Sequence, residues 1–362
     1  MGGDRASLRG QTAPALIAGG RPPPRGARAG TKPDGGSMLV RPAQREYRTW
    51  VIDSRRWEGY RPRPGDVVIV TPPKCGTTWM QRIVGSLIFQ DTTPRAIPTI
   101  SPWIDARFRG PVEAMHRAIA EQTHRRFLKS HLPADGLPLH DEVRYVVVVR
   151  DGRDVLLSWH NHSVGFSPAM LAELDRIGLE DPMIGRAYPR TPEDVRACFR
   201  SWLTIPAVPG QSDGFNQLSF FDMVAIHWAE RGRENVLLVH FNDLLADLDG
   251  EMRRVAAFLD VAVDPAVWPS LVDGASFAQM QAAGETLMPQ TRTMFADGGA
   301  LRFFNKGTNG RWRDVLGAEE LALYDAKVRE KFPPELAEWV EFGRAGGAPG
   351  AGSARVDSVG RQ

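Results

Sequence analysis

Short apolar segments separated by polar, glycine-containing turns are the first pattern along this 362-residue chain. Each segment is short and apolar, which predicts buried strands of a parallel sheet. The segments are Val67–Val70, Phe127–Leu128 with its neighbours, Tyr145–Val149 and Val236–Phe241.

Apolar residues at helical spacing follow these strands. Trp79, Ile83 and Leu87 recur every four residues after the first strand, and Val155 and Trp159 do so after the third. This alternation predicts an α/β fold, an open parallel sheet flanked by helices, in a single domain. Ligands of such sheets bind beyond the carboxyl ends of the strands, so we expect the chemistry there.

Composition changes sharply near both ends of the chain. Residues 1–37 hold nine glycines and five prolines, too few bulky apolar residues to fold, and residues 345–362 are similarly rich in small residues. We therefore predict disordered tails at 1–37 and 345–362 and one folded domain at 38–344. We also expect translation to begin at Met38; peptides from upstream in the native protein would disprove this.

Charge and cysteine content narrow the class of protein. The net charge is +2, but the six basic and two acidic residues of segment 1–37 contribute +4 of it, which leaves −2 for the rest. The basic total is therefore no sign of nucleic-acid binding. Only two cysteines and no apolar run of about 18–20 residues predict a cytoplasmic protein without stable membrane insertion.

The first strand leads into an anion-binding candidate, Pro-Lys74-Cys75-Gly76-Thr77-Thr78-Trp79. Gly76 allows close backbone approach, and amides at the start of a helix attract an anion. An ordinary strand-to-helix turn capped by threonine explains the same residues. The usual triphosphate loop places its lysine directly after the last glycine, whereas Lys74 precedes Gly76.

Two further clusters follow the next strands. Lys129 and His131 are two residues apart, so along a strand they project from one face, where a histidine can accept a hydroxyl proton. A lone histidine is more often structural. Arg150 follows the third strand, where its guanidinium would suit a phosphate, and Ser158 lies about two helical turns further on. From the residues alone, an Arg150–Asp154 ion pair and a solvated serine are the favoured alternative.

These motifs together resemble those of the sulfotransferases that use 3′-phosphoadenosine-5′-phosphosulfate (PAPS). Pro-Lys-Cys-Gly-Thr-Thr-Trp resembles their 5′-phosphosulfate loop, with Cys75 in the usual place of serine, and Lys-Ser-His-Leu-Pro resembles the motif of their catalytic base. The resemblance spans about residues 60–340 and is nearest to bacterial glycolipid and aryl sulfotransferases. It implies a P-loop nucleoside-triphosphate-hydrolase-like sulfotransferase fold.

The resemblance also implies ligands and roles. PAPS would be the co-substrate without a metal, and a small organic or glycolipid hydroxyl the acceptor, with acceptor identity and oligomeric state left open. His131 would be the base, and Lys74 and Lys129 would stabilise developing charge. The implied nucleotide-binding residues are Lys74, Cys75, Gly76, Thr77, Thr78, Trp79, Arg150, Ser158, Phe241, Ser276, Phe277, Asn305, Lys306 and Gly307.

The chain departs from the family pattern near its C-terminal motif. Asn305 stands where the family has arginine, Arg311 replaces an acidic residue, and Ala275 replaces a threonine. The first change removes a guanidinium from the 3′-phosphate site. Two rival functions therefore stay open: a P-loop nucleotide kinase or NTPase using Mg-ATP with Asp151 on the metal, and a catalytically dead protein that binds 3′,5′-bisphosphoadenosine (PAP).

Three smaller expectations concern the surroundings of the site. Trp103–Phe108 and residues 165–221 are predicted to wall the acceptor, the latter as a mobile cover. The Cys75 thiolate is expected to be favoured at the helix N-terminus beside Lys74, and alkylation should inactivate the enzyme. His160 and His162 are not expected to form a metal pair, because residues two apart on a helix do not share a face.

Overall fold

The computed structural model describes residues 37–344. The predicted tails at 1–37 and 345–362 lie outside these residues, except for Ser37. The strands are β1 (Leu39–Arg41), β2 (Val67–Val70), β3 (Phe127–Ser130), β4 (Leu139–His140), β5 (Arg144–Val149) and β6 (Val236–His240).

Helices make up most of the remaining regular structure. The α-helices are α1 (Thr77–Phe89), α2 (Ile97–Ile100), α3 (Val112–Ala120), α4 (Gly152–Ser163), α5 (Pro168–Glu180), α6 (Val195–Thr204), α7 (Phe220–Ala229), α8 (Phe241–Ala246), α9 (Leu248–Phe258), α10 (Trp268–Gly274), α11 (Phe277–Ala282), α12 (Gly284–Leu287), α13 (Thr291–Met294), α14 (Gly299–Phe303), α15 (Ala318–Lys331) and α16 (Pro334–Phe342). Short 3₁₀ turns span Ser54–Trp57, Arg107–Arg109, Ala134–Gly136 and Arg311–Asp314.

The central sheet contains the four predicted strands in the order β3-β2-β5-β6, and all neighbours are parallel. Successive side chains of β2 enter opposite cores: Val68 and Val70 join one apolar cluster, and Val67 and Ile69 the other. Because both faces are covered, the strands are continuously apolar instead of alternating. The predicted α/β sheet is confirmed.

Helices α1 and α4 lie on opposite faces of this sheet. Ile83 and Leu87 of α1 pack in the cluster that contains Val67, whereas Val155 and Trp159 of α4 pack in the cluster that contains Val68. The chain reverses its direction across the sheet between β2 and β5, which is the switch point where ligands of doubly wound sheets bind.

Residues 165–221, predicted as a mobile cover, contain two helices that the sequence analysis missed. Ser167 caps α5 by accepting from the Met170 amide at 3.2 Å, and Asp194 caps α6 by accepting from the Ala197 amide at 3.0 Å. Ser-Pro at the start of α5 and Asp194 before α6 are N-terminal signals that would have revealed both. Within residues 37–344, no helix has the length and apolar character needed to cross a membrane.

Candidate active site

The carboxyl ends of the four sheet strands open onto one cleft. Thr71, His131, Arg150 and Phe241 each follow a strand directly, because parallel strands end at the same edge of the sheet. All the predicted site residues line this cleft except Cys75 and Ser276. Four motifs that are far apart along the chain therefore meet at one place.

The loop between β2 and α1 is held in an unusual backbone conformation. Lys74 has φ 72° and Gly76 φ 106°, both in the left-handed region, which is uncommon for a lysine. A Cβ atom on Gly76 would lie 3.0 Å from the Phe241 ring. Gly76 offers α1 no side-chain cap, so the first amides of this 13-residue helix are free for an anion in the cleft.

Lys74 points toward a histidine that the sequence analysis had set aside. Its Nζ lies 3.3 Å from Nδ1 of His162 and 5.0 Å from the centroid of the Phe303 ring. Burial, together with the nearby charge of Arg150, lowers the pKa of Lys74 to about 7. His162 lines the cleft, whereas His160 bonds the main-chain oxygen of Pro192 at 3.0 Å. The sequence analysis treated His162 only as a possible metal ligand and missed its position beside Lys74.

His131 has a defined tautomer. Its Nδ1 lies 2.6 Å from the main-chain oxygen of Thr71, and because a carbonyl oxygen only accepts, the proton is on Nδ1 and Nε2 keeps its lone pair. Burial, and secondarily the charge of Lys129, lowers the pKa of His131 well below its usual value. The ring is therefore neutral at pH 7, with an acceptor nitrogen available to take a proton.

A buried carboxylate behind this histidine positions its neighbours. Asp105 accepts from the His131 amide at 3.1 Å, from Trp103 Nε1 at 2.7 Å and from Trp57 Nε1 at 3.2 Å. The Trp103 ring consequently lies beside His131, with ring centroids 4.8 Å apart, and 4.0 Å from Nζ of Lys129. Burial raises the pKa of Asp105. Sequence reasoning had placed this residue only in an acceptor wall.

Lys129 and Arg109 carry the positive charge of this part of the cleft. Burial lowers the pKa of Lys129 to about 7, and the charge of Arg109 is the next cause. Lys129 and His131 both line the cleft, as the strand spacing predicts. Arg109 was missed, because nothing in its local sequence distinguishes it from a surface arginine.

Arg150 is oriented by the C-terminal motif and not by Asp154. Its Nε donates to Oδ1 of Asn309 at 2.7 Å and its Nη2 to the oxygen of Thr308 at 2.9 Å. Asp154 instead accepts from the Gly310 amide at 2.9 Å. Arg150 and Asp154 form no ion pair, so that alternative is wrong, although burial outweighs the attraction by which the charge of Asp154 raises the pKa of Arg150. The guanidinium lies 4.3 Å over the Phe241 ring.

Arg311 is the most informative departure from the family pattern. It lines the cleft, and its charge lowers the pKa of Arg150, although burial is the main cause. Its Nε is buried without a hydrogen-bond partner among residues 37–344. A buried, unpaired guanidinium nitrogen is costly unless a ligand pairs with it. Asn305 also lines the cleft, so the guanidinium absent at 305 is present at 311.

Aromatic side chains line the part of the cleft beside the β2–α1 loop. The rings of Trp79 and Phe241 meet edge to face with centroids 5.2 Å apart, and Trp79 Nε1 donates to the oxygen of Ala275 at 2.8 Å. Gly307 has φ 65°, and a Cβ atom there would lie 2.5 Å from the Phe277 ring. The residue at 307 must therefore be glycine for the basic loop to lie this close to Phe277.

Two predicted site residues lie outside the lining. Ser276 caps α11, where its hydroxyl accepts from the Gln279 amide at 3.4 Å. Cys75 is fully buried, and burial raises the pKa of its thiol to about 12 despite the opposing charge of Arg150. The expected thiolate is therefore wrong: desolvation outweighs the helix N-terminus.

The charge of the cleft is one-sided. No aspartate or glutamate is among the described residues that line it. The cationic lining residues are Lys74, Arg109, Lys129, Arg150, Lys306 and Arg311. Residues 38–362 have a net charge of −2, yet the described lining of the cleft has six basic side chains and no carboxylate. Such a cleft favours a ligand with several negative charges.

Asp151, the candidate Mg²⁺ ligand of the kinase alternative, is already engaged. It caps α4 by accepting from the Arg153 amide at 2.9 Å and forms an ion pair with the Arg153 guanidinium at 2.7 Å. Residues 37–344 also contain no group of three or more histidine, cysteine, aspartate or glutamate side chains arranged to hold a metal ion.

Comparisons with known proteins point in the same direction. Residues 64–333 match the sulfotransferase domain family model. A glycolipid sulfotransferase of Mycobacterium tuberculosis is 33% identical over 322 residues, which cover 84% of this chain and 96% of that protein. Sulfotransferase 1B1 of Mus musculus is 23% identical over 297 residues, covering 80% of this chain and 90% of the mouse protein.

Solved structures show the same fold. A mouse sulfotransferase complexed with PAP is 18% identical and superposes with a TM-score of 0.58, covering 80% of this chain and 93% of that one. A retinol dehydratase in complex with androsterone and inactive cofactor PAP is 20% identical, with a TM-score of 0.55 and coverage of 77% and 84%.

Proposed function

The chain belongs to the sulfotransferase domain family, and on that premise we propose that it transfers a sulfuryl group from PAPS to a hydroxyl of a small organic or glycolipid acceptor in the cytoplasm. One observation carries the proposal: the cleft at the strand ends has six cationic side chains and no carboxylate among its described lining residues. PAPS carries a 3′-phosphate and an anionic phosphosulfate bridge, and it needs such a field.

Different residues of the cleft would bind different parts of PAPS. The phosphosulfate would accept from the amides at the start of α1 and from Thr78, beside Lys74. The adenine would lie among Trp79, Phe241 and Phe277. The 3′-phosphate would be bound by residues that converge from α4 and the C-terminal loop: Arg150, Ser158, Lys306, Gly307 and Arg311.

The chemistry follows from the protonation states. The acceptor hydroxyl gives its proton to Nε2 of His131 as its oxygen forms a bond to sulfur. The bond between sulfur and the bridging oxygen breaks, its electron pair stays on the 5′-phosphate of PAP, and Lys74 neutralises that charge. Lys129 offsets charge on the remaining sulfuryl oxygens. Sulfuryl transfer, like phosphoryl transfer, depends mainly on such positioning and charge stabilisation.

The acceptor half of the cleft supports an amphipathic acceptor. Its lining includes Val51, Ile52, Phe108, Phe166, Met170 and Met294. These apolar side chains suit an aryl or alkyl body, and the 33% identical mycobacterial relative is named a glycolipid sulfotransferase. Both cysteines are free and buried, which fits a reducing cytoplasm.

Parallel binding measurements test the nucleotide. We expect PAP to raise the melting temperature strongly, AMP to raise it little because it lacks the 3′-phosphate, and Mg-ATP not to exceed AMP. Turnover of labelled PAPS with a panel of aryl alcohols and glycolipids then tests the enzyme. Preference for Mg-ATP would favour the kinase alternative, and PAP binding without turnover on any acceptor would favour the catalytically dead alternative.

A further inference from the structure

Arg109 differs from the other arginines of the acceptor half. It occupies the last position of the 3₁₀ turn Arg107–Arg109 and lines the cleft. Its neighbour Arg107 donates to the oxygen of Thr49 at 2.9 Å and pairs with Asp181 at 2.8 Å. Arg109 has no hydrogen bond or ion pair within residues 37–344; its guanidinium lies only 5.3 Å over the Phe108 ring.

Within residues 37–344, Arg109 lies beside an aromatic ring and near the cation Lys129, and it forms no ion pair with a carboxylate. Phe108 meets the Trp103 ring edge to face at 5.5 Å, and Trp103 in turn covers Lys129. Burial alone lowers the pKa of Arg109, with no acidic group opposing it. Asp105 is the nearest buried acid along the chain, and the amide of His131 and the indoles of Trp57 and Trp103 occupy its oxygens.

The negative groups of PAPS can pair with the other basic residues of the cleft but leave Arg109 without a partner. In the proposed nucleotide site Lys74, Arg150, Lys306 and Arg311 face the anionic groups of PAPS, and Lys129 faces the sulfuryl group. Each of these cations then has an anionic partner. Arg109 does not, and a partly buried guanidinium is stabilised when an anion completes it.

We propose that Arg109 binds an anionic group of the acceptor itself, so that the enzyme selects hydroxyl compounds that also carry a carboxylate, phosphate or sulfate group on an aryl or alkyl body. This inference rests on the proposed sulfotransferase function and specifies its acceptor class. The anionic group would lie on the Phe108 side of the cleft, away from the hydroxyl that His131 deprotonates.

Two matched pairs of acceptors test the proposal and distinguish an aryl acid from an anionic glycolipid. The first pair is 3-(4-hydroxyphenyl)propionate and its amide; the second is octyl glucuronide and octyl glucoside. Affinity is measured by calorimetry with and without PAP, and kcat/KM is measured with PAPS. We expect the acid to be favoured about tenfold or more in at least one pair, which identifies the body that fits.

Variants assign that preference to one side chain. Arg109→Met should reduce the ratio of acid to neutral affinity by about tenfold or more, and Arg109→Lys should retain part of it. Arg117→Met is the matched control, because Arg117 is an exposed arginine on α3 outside the cleft lining. Arg109→Gln provides a second neutral variant if Arg109→Met does not fold.

The outcomes are separable. Equal affinity for acid and neutral compound in both pairs, or no binding of any of the four, overturns the proposal. An unchanged ratio in Arg109→Met with a raised KM for PAPS also overturns it, because Arg109 would then belong to the donor site. Failure of the sulfotransferase function itself is recognised independently, since PAP would not bind while the acceptor pairs could still be titrated without nucleotide.

Discussion

The two halves of the cleft are built in different ways. In the nucleotide half, Lys74–Thr78 and Arg150 lie in segments directly after strands, and Arg150 is oriented by the Asn309 side chain and the main-chain oxygen of Thr308. In the acceptor half, the segment that carries Trp103 and Arg109 meets Phe166 and Met294, which lie far away along the chain. Anion binding at the start of α1 would therefore depend on local backbone geometry, whereas the 3′-phosphate residues and the acceptor half depend on segments that are far apart along the chain.

Arg150 in the nucleotide half and Arg109 in the acceptor half differ in their hydrogen-bond partners. Arg150 has two hydrogen bonds that hold it in place before any ligand binds, whereas Arg109 makes neither a hydrogen bond nor an ion pair within residues 37–344. Such preorganisation lowers the entropic cost of binding a phosphate. An unpaired cation in the acceptor half provides a means of selecting the second substrate.

His131 lies where the halves meet, and its removal should have the largest effect. His131→Ala removes the proton acceptor while leaving the phosphate loop intact. We expect kcat to fall by about 10²- to 10⁴-fold, with PAP affinity by calorimetry nearly unchanged. His160→Ala is the matched control, because His160 bonds main chain outside the cleft. A His131→Ala variant that retained a tenth of the turnover would contradict the assignment of the base.

Arg311 tests whether the nucleotide half has replaced its missing guanidinium. Arg311→Met should weaken PAP binding by about tenfold or more, since a charged hydrogen bond to the 3′-phosphate is lost. AMP affinity should change little. Arg313→Met is the control, because the Arg313 guanidinium lies 4.6 Å over the Trp312 ring. Equal losses for PAP and AMP would show that Arg311 does not contact the 3′-phosphate.

The depressed lysines predict a pH dependence that involves both halves. Burial lowers the pKa of Lys74 and of Lys129 to about 7, so their cationic fraction falls as pH rises from 6 to 8. PAP binding favours the charged form of Lys74, and should therefore take up protons and weaken several-fold over this range. Calorimetry in buffers of different ionisation enthalpy measures the uptake.

The same shift has the opposite sign for stability without ligand. The unfolded lysine has a pKa near its ordinary value and binds more protons than the folded one above pH 7. The free energy of unfolding contributed by Lys74 should therefore rise with pH between about 7 and 10. Comparison with Lys74→Met by thermal unfolding checks the sign. A difference that does not vary with pH would contradict the lowered pKa.

Treatment of the folded protein with a thiol reagent should have the smallest effect. Burial raises the pKa of Cys75 and of Cys198 to about 12, so neither thiolate forms near neutral pH. We expect neither cysteine to react with a thiol reagent in the folded protein and both to react after denaturation. Rapid labelling of Cys75 alone, slowed by PAP, would restore the reactive-thiol hypothesis and show that the phosphate loop opens.

The features that could be predicted from the sequence are those with a local signal. Short apolar runs identified the four parallel strands, and helical spacing identified α1 and α4. The helices α5 and α6 were missed although their caps are visible in the sequence. The proline and glycine content of residues 165–221 is typical of a loop and obscures the capping signals. The catalytic role of His131 stays a prediction, supported by its tautomer.

Other features carried no readable signal. Arg107 and Arg109 are both arginines and lie two positions apart, yet Arg107 pairs with Asp181 and Arg109 faces the cleft. For Cys75 the local sequence was misleading. Its sequence neighbours favour a thiolate, but in the folded protein its side chain is buried away from water. In each case the deciding atoms belong to residues far away along the chain.

By itself the sequence determined the parallel α/β sheet, the phosphate loop and the family, because these follow from periodicity and from contiguous motifs whose backbone geometry is local. The tertiary structure alone decided that six basic side chains meet without a carboxylate among the described lining residues, and that His131 keeps Nε2 as an acceptor. It also decided that Arg109 and Nε of Arg311 have no hydrogen-bond partner within residues 37–344. Electrostatics and desolvation depend on neighbours in space, and chain folding brings together residues such as Trp79 and Ala275, which are 196 positions apart.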